Sequence, residues 1–210
     1  MASKFAMITG ASRGVGYYLA CLAAENDYDL VIAGEDAIID GAAADLRNYR
    51  VDVRAVAADI PPAEYVDGLL AAADGRPIDI LCIDASGHPE PPDFAGPRRS
   101  GASAAMVELL RSILSGMAVR KSGKVLITAS VAVSASGFNA ERSRAAMLAS
   151  ALRAELAPSR GVTVTALMAD TGRDGVDMFH IATDGWEAAM AGKVGVVSGT
   201  VGASVSPCSR

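Results

Sequence analysis

Apolar positions along this chain come in short unbroken runs, and the runs alternate with segments of helical spacing. Phe5-Ala6-Met7-Ile8 is the first run, and Val15, Leu19, Leu22 and Ala23 then recur on one helix face. Asp29-Leu30-Val31-Ile32-Ala33 predicts a second buried strand, closed by Gly34-Glu35-Asp36 and followed by a helix over Ala37–Tyr49. Val51–Ala57 predicts a third strand, which ends at Ala58-Asp59-Ile60 before the breaker Pro61-Pro62. A helix over Ala63–Ala73 and a strand over Asp79–Ile83 come next. Ser86–Gly101 holds Pro89, Pro91, Pro92 and Pro97, which fits a surface loop near the strand ends rather than helix or strand. Ala102–Val119 is amphipathic, with Met106, Leu109, Leu110, Ile113, Leu114 and Met117 on one face. Lys124–Thr128 predicts a fifth strand and Glu141–Leu156 a helix with leucines at four-residue steps. Val162–Met168 predicts a sixth strand. Beyond Ala169 the pattern weakens to a helix over Asp184–Met190 and a short strand over Val194–Val197. Gly199–Arg210 has no period and reads as a tail, disordered or appended to an edge.

Strand and helix alternating in this way predict a parallel, doubly wound α/β sheet. The chain of 210 residues suits one domain. Its 51% hydrophobic and 5% aromatic content fits an Ala/Val/Leu/Ile core between helices and a parallel sheet. A net charge of −5 without a basic block argues against nucleic acid as the main partner. Cys21, Cys82 and Cys208 have neither metal-ligand nor disulfide-framework spacing, and the first two lie in apolar runs, so those two are expected as buried thiols in a reducing cytoplasm, and no metal is expected. The first strand starts close to Met1, so no signal peptide is expected. Glu108 and Arg111 break the most apolar long segment, so no membrane span is expected.

The stretch Thr9-Gly10-Ala11-Ser12-Arg13-Gly14-Val15-Gly16 joins the first strand to the first helix. A strand, a glycine turn and a helix N-terminus together make an anion site, because backbone N–H groups converge there and the helix dipole favours a pyrophosphate. Gly10 would permit the turn, Gly14 the close approach of a cofactor, and Gly16 the packing of helix on strand. Ser12 and Arg13 add a hydroxyl and a cation. The bland alternative is a glycine-rich turn with no ligand.

Thr9–Gly16 resembles the Thr-Gly-x-x-x-Gly-x-Gly fingerprint of the short-chain dehydrogenases/reductases, and the similarity runs to about Gly199. It implies a Rossmann-like domain over 1–199, a tail over 200–210, and a dinucleotide held by Gly10, Ser12, Arg13, Gly14, Val15 and Gly16. In such folds an acidic residue after the second strand takes the adenosine ribose hydroxyls, and a basic one takes a 2′-phosphate. Glu35 and Asp36 stand there, which favours NAD over NADP, although a solvated loop and a helix cap at Asp36 explain the pair equally well. Asp59, with Ile60 beside it, matches the family position that reaches the adenine, and Ala85 lies in the segment after the fourth strand.

The resemblance fails where the family's chemistry sits. That chemistry needs a Ser, a Tyr and a Lys four residues after the Tyr, with an Asn on the preceding helix. The Tyr donates a proton, and the Lys lowers its pKa and holds the nicotinamide ribose. Ser130 fits the family Ser. Family spacing then puts Ser143 at the Tyr position, Met147 at the Lys position and Ala102 near the Asn. The last tyrosine is Tyr65, and no tyrosine has a lysine four residues on. A serine alcohol is far less acidic than a phenol, and methionine offers neither charge nor donor. The Asn-Asn-Ala-Gly segment has drifted to Ile83-Asp84-Ala85-Ser86, and Pro-Gly after the sixth strand to Ala169-Asp170.

His88 and His180 are the only histidines. One of them could act as an acid, against the commoner role of a solvated side chain. Asp84, Asp170 and Ser130 would lie together at strand ends as a polar pocket. The resulting expectation is a dinucleotide-binding protein that has lost its standard catalytic centre, acting as a sensor or as a subunit beside an active relative. The alternatives are an NAD-dependent oxidoreductase with another proton donor, and a scaffold that binds no nucleotide. By resemblance, the helices Ala102–Val119 and Glu141–Leu156 would pair across a twofold axis in a homodimer, a homotetramer or a hetero-oligomer with an active relative.

Overall fold

The computed structural model describes residues 3–34, 36–58, 62–85, 102–131, 135–159, 161–170 and 176–198. The strands are β1 Lys4–Thr9, β2 Tyr28–Gly34, β3 Val53–Ala57, β4 Ile80–Asp84, β5 Gly123–Val131, β6 Val162–Asp170 and β7 Gly195–Ser198. The helices are α1 Gly14–Glu25, α2 Asp36–Leu46, α3 Pro62–Ala73, α4 Ala102–Arg120, α5 Ala135–Leu156 and α6 Met178–Met190. All neighbouring strands pair in parallel, in the order β3-β2-β1-β4-β5-β6-β7. The expected doubly wound sheet is therefore present, with β7 as a seventh strand.

The central strands β1 and β4, and most of β2, are buried on both faces because their side chains alternate between two cores. Phe5 and Met7 on β1 join Leu69 of α3, Leu110 of α4 and Leu152 of α5 on one side. Ala6 and Ile8 join Leu19 of α1, Ile39 of α2 and Trp186 of α6 on the other. The chain leaves β1 toward β3 and then returns to β4 on β1's other side. That reversal opens a crevice beyond the C-terminal ends of β1 and β4.

Several boundaries differ from the sequence reading. Helix α6 begins at Met178 rather than Asp184, because Asp177 caps it, accepting from the N–H groups of Phe179 and His180. Helix α5 begins at Ala135 rather than Glu141. The α2 segment ends at Leu46, and Arg47–Tyr49 forms a 3-10 turn before left-handed Arg50, so β3 starts two residues later than Val51. Cys82 is a free, buried thiol that burial pushes up to about 12. Cys21 is disulfide-bonded, which overturns the thiol expected there. No described helix is long and apolar enough to cross a membrane. The proline-rich stretch 86–101 and the tail 199–210 lie outside the described residues.

Candidate functional site

The crevice is floored by the turn from Thr9 to Gly16. Gly10 and Gly14 adopt φ of +69° and +62°, the left-handed region that other residues enter at a cost. Ala11 N donates to Ala33 O at 2.9 Å, which ties the turn to the end of β2. The turn is also wedged from three sides. A Cβ on Gly16 would stand 2.2 Å from Gly10 O, one on Gly34 1.9 Å from Ser12 Oγ, and one on Gly10 2.7 Å from Asp84 Oδ2. Gly16 was expected to bring α1 against the strand; it brings α1 against the turn's own carbonyl instead.

The head of α1 is open and uncapped. Arg13 stands at the N-cap without a side-chain cap bond, and no acidic residue occupies the first turn. The amides of Gly14, Val15 and Gly16 therefore keep the orphan donors of a helix start. A Cβ on Gly14 would meet nothing within 4 Å, so open space lies over these amides. Ser12 Oγ is buried and makes no hydrogen bond. A buried hydroxyl without a partner is costly and calls for an explanation. An open cradle at an uncapped helix start, with an unpartnered hydroxyl beside it, fits the phosphate–ribose portion of a dinucleotide. Gly14, Val15, Gly16 and Ser12 are the residues that would hold it.

Around this floor, Asp84 N donates to Thr9 Oγ1 at 3.0 Å and Ala85 N to Thr128 O at 2.8 Å, which fixes the end of β4 between β1 and β5. Thr128 Oγ1 donates to Ile83 O at 3.4 Å and lies 3.5 Å from Asp84 Oδ1. Sequence reasoning passed over Thr9 and Thr128 as site-shaping residues, and also Gly34. Burial, and then the nearby Asp84 charge, push the Tyr65 hydroxyl on α3 up to about 12.

Ser130 falls on β5 in register with Ala169 of β6, and Val131 with Asp170. Those positions, with Asp84, lie at the same end of the sheet as the cradle, as the sequence predicts. Ser143 and Met147 lie one turn apart on α5, and Met147 is 60% exposed. His180 is exposed on α6, with Nε2 3.7 Å from Asp184 Oδ2. Glu35, Asp59, Ile60 and His88 fall outside the described residues, and Asp36 opens α2. No group of three or more His, Cys, Asp or Glu among the described residues could hold a metal ion.

Solved structures share this architecture. A bulky-bulky ketone specific alcohol dehydrogenase from Comamonas testosteroni superposes with a TM-score of 0.69 at 20% identity, over 92% of this chain and 85% of that one. A short-chain dehydrogenase from Sphingobium yanoikuyae in complex with NADPH gives 0.64 at 21% identity, over 92% and 87%. An alcohol dehydrogenase from the archaeon Thermococcus sibiricus, complexed with 5-hydroxy-NADP, gives 0.68 at 17% identity, over 94% and 97%. No curated protein matches the sequence. These identities carry the fold alone. The family model described as short chain dehydrogenase, however, matches residues 4–172, from the first residue of β1 to just past β6 and through the whole cradle. With most of its length and its phosphate turn inside that match, the chain belongs to the short chain dehydrogenase family.

Proposed function

We propose that the chain binds NAD in the cradle at the head of α1 and has lost the family's proton-donating pair, so that it works as a sensor or as a subunit beside an active relative. One contrast carries this reading: the turn keeps every glycine the cradle needs, while position 147 holds an exposed methionine instead of a lysine. NAD, when bound, supplies a hydride acceptor. The chain's part would be to hold the pyrophosphate on the amides of Gly14, Val15 and Gly16 and to offer Ser12 Oγ to a ribose or phosphate oxygen. Neither Ser143 nor Met147 can supply the acidic hydroxyl and the cation that carbonyl reduction requires.

A second reading, an oxidoreductase with another proton donor, is favoured by the exposed His180 beside Asp184. Equilibrium titration with NAD, NADH, NADP and NADPH, followed by turnover on a panel of carbonyl substrates, decides between them. Binding of NAD without turnover is expected, and loss of that binding in Gly14→Val with the fold retained by circular dichroism. Turnover by the unmodified chain establishes the second reading. Absence of binding leaves a scaffold.

The assembly proposed is a dimer across the outer faces of α4 and α5, with itself or with an active relative.

A further inference from the structure

Gly34 closes β2, and the phosphate turn already fills the space a side chain would need there. An ideal Cβ on Gly34 would stand 1.9 Å from Ser12 Oγ, 2.9 Å from Ser12 N and 3.0 Å from Ser12 Cβ. Rotating the serine side chain relieves the first contact. The second is to backbone and yields only if the turn lifts off the strand.

The turn has no easy way to lift. Ala11 N is held on Ala33 O at 2.9 Å, one residue before Gly34. On the opposite side Gly10 O already sits where a Cβ of Gly16 would be, 2.2 Å away. Interiors this close-packed pass a displacement on rather than absorb it. A shift at Ser12 therefore reaches the next residues along the chain, which are the amides at the head of α1. It also moves the buried, unpartnered Ser12 hydroxyl.

We propose that Gly34 is a positioning residue for the dinucleotide. By carrying no side chain it seats Ser12, and through Ser12 it sets the height of the amides that receive the pyrophosphate. The role needs no contact between Gly34 and the ligand. It rests on the reading of the turn as a dinucleotide cradle.

The intact chain and its Gly34→Ala, Ser12→Gly and doubly substituted variants are titrated with NAD, with thermal melts to confirm folding. Gly34→Ala weakens binding about tenfold or more, the scale of one lost hydrogen bond. Ser12→Gly removes Oγ and Cβ but leaves the backbone contact at residue 12, so it weakens binding on its own account and cancels only the side-chain part of the Gly34→Ala penalty. Adding Gly34→Ala to it costs less than Gly34→Ala costs the unmodified chain, the non-additivity expected of residues in contact. If Gly34→Ala does not fold, Ser12→Val crowds the same contact from the other side and weakens binding well beyond Ser12→Ala. Unchanged NAD affinity in Gly34→Ala overturns the proposal, as does a full tenfold penalty surviving in the Ser12→Gly background. An unmodified chain that binds neither NAD nor NADP overturns the cradle reading itself, so the two failures are told apart.

Discussion

A Cβ on Gly16 would stand 2.2 Å from the carbonyl oxygen of Gly10, far inside any allowed contact. Gly16→Ala must therefore push α1 away from the turn, at a cost of roughly 1–3 kcal/mol for overpacking. At about 2–4 °C per kcal/mol for a chain of this size, thermal denaturation should show a clear drop. Gly41, exposed on α2 with nothing within 4 Å of its ideal Cβ, sets the opposite expectation. Gly41→Ala should raise stability by about 0.5–1 kcal/mol through helix propensity. A Gly16→Ala protein as stable as the parent would contradict the wedged turn.

Cofactor choice should follow charge. If Glu35 after β2 meets the adenosine ribose as the family resemblance implies, its negative charge would disfavour a 2′-phosphate, which adds close to two negative charges. The pair Glu35→Arg, Asp36→Arg is expected to raise NADP affinity relative to NAD, measured by titration of both. Tighter NADP than NAD binding by the unmodified chain would count against this assignment.

The opposite end of the sheet makes a prediction about acid. Asp29 at the start of β2 accepts from Ser3 Oγ at 2.7 Å, Asp52 N at 2.9 Å and Arg76 at 2.7 Å. Burial alone would raise its pKa, but these donors and the Arg76 charge outweigh burial and hold it below 3.8. A carboxylate with a depressed folded pKa stabilises above its unfolded value, and that stability is lost as pH falls through the folded one. Asp29→Asn should cost about 1.5–3 kcal/mol at neutral pH, as for hydrogen bonds to a charged group. In urea titrations the gap between variant and parent should close as pH drops below 3.8. A gap that stays constant into acid would show that the charge is not the source.

The assembly prediction needs different substitutions from those the sequence suggests. Leu110 and Leu152 look like interface residues in a helical projection, yet both are fully buried within one chain. Changing them would unfold the domain rather than test a contact. Val119 on α4 and Met147 on α5 are 83% and 60% exposed, and they are the apolar positions to challenge. Light scattering of the unmodified chain should give a dimer, and Val119→Glu with Met147→Glu should give a folded monomer. A monodisperse monomer from the unmodified chain, with no co-purifying partner, would remove the dimer.

The central strands were legible because they are short runs buried on both faces, and glycine, proline and acidic breaks punctuate them. Helix starts were harder to read. Ala135–Ala140 contains Ser136, Gly137 and Asn139, poor helix formers that tertiary context overrides in α5. The start of α6 was announced by Asp177 ahead of Met178, a cap signal hidden in a segment of weak period. The strand, turn and helix of the fingerprint were legible, since the three are contiguous in sequence. Gly34 left no local trace. Its importance arises only when a turn more than twenty residues earlier folds back over it.

The exposure of Met147 also bears on how the chain has changed over time. A side chain 60% open to solvent touches little of the core, so its identity is nearly invisible to folding. In the monomeric chain Met147→Lys should accordingly leave the melting temperature within a degree or two of the parent. Selection for the fold of the single chain therefore has little grip on this position. A cation could be lost there, or regained, without any of the compensating changes that a buried position such as Leu148, the next residue, would demand.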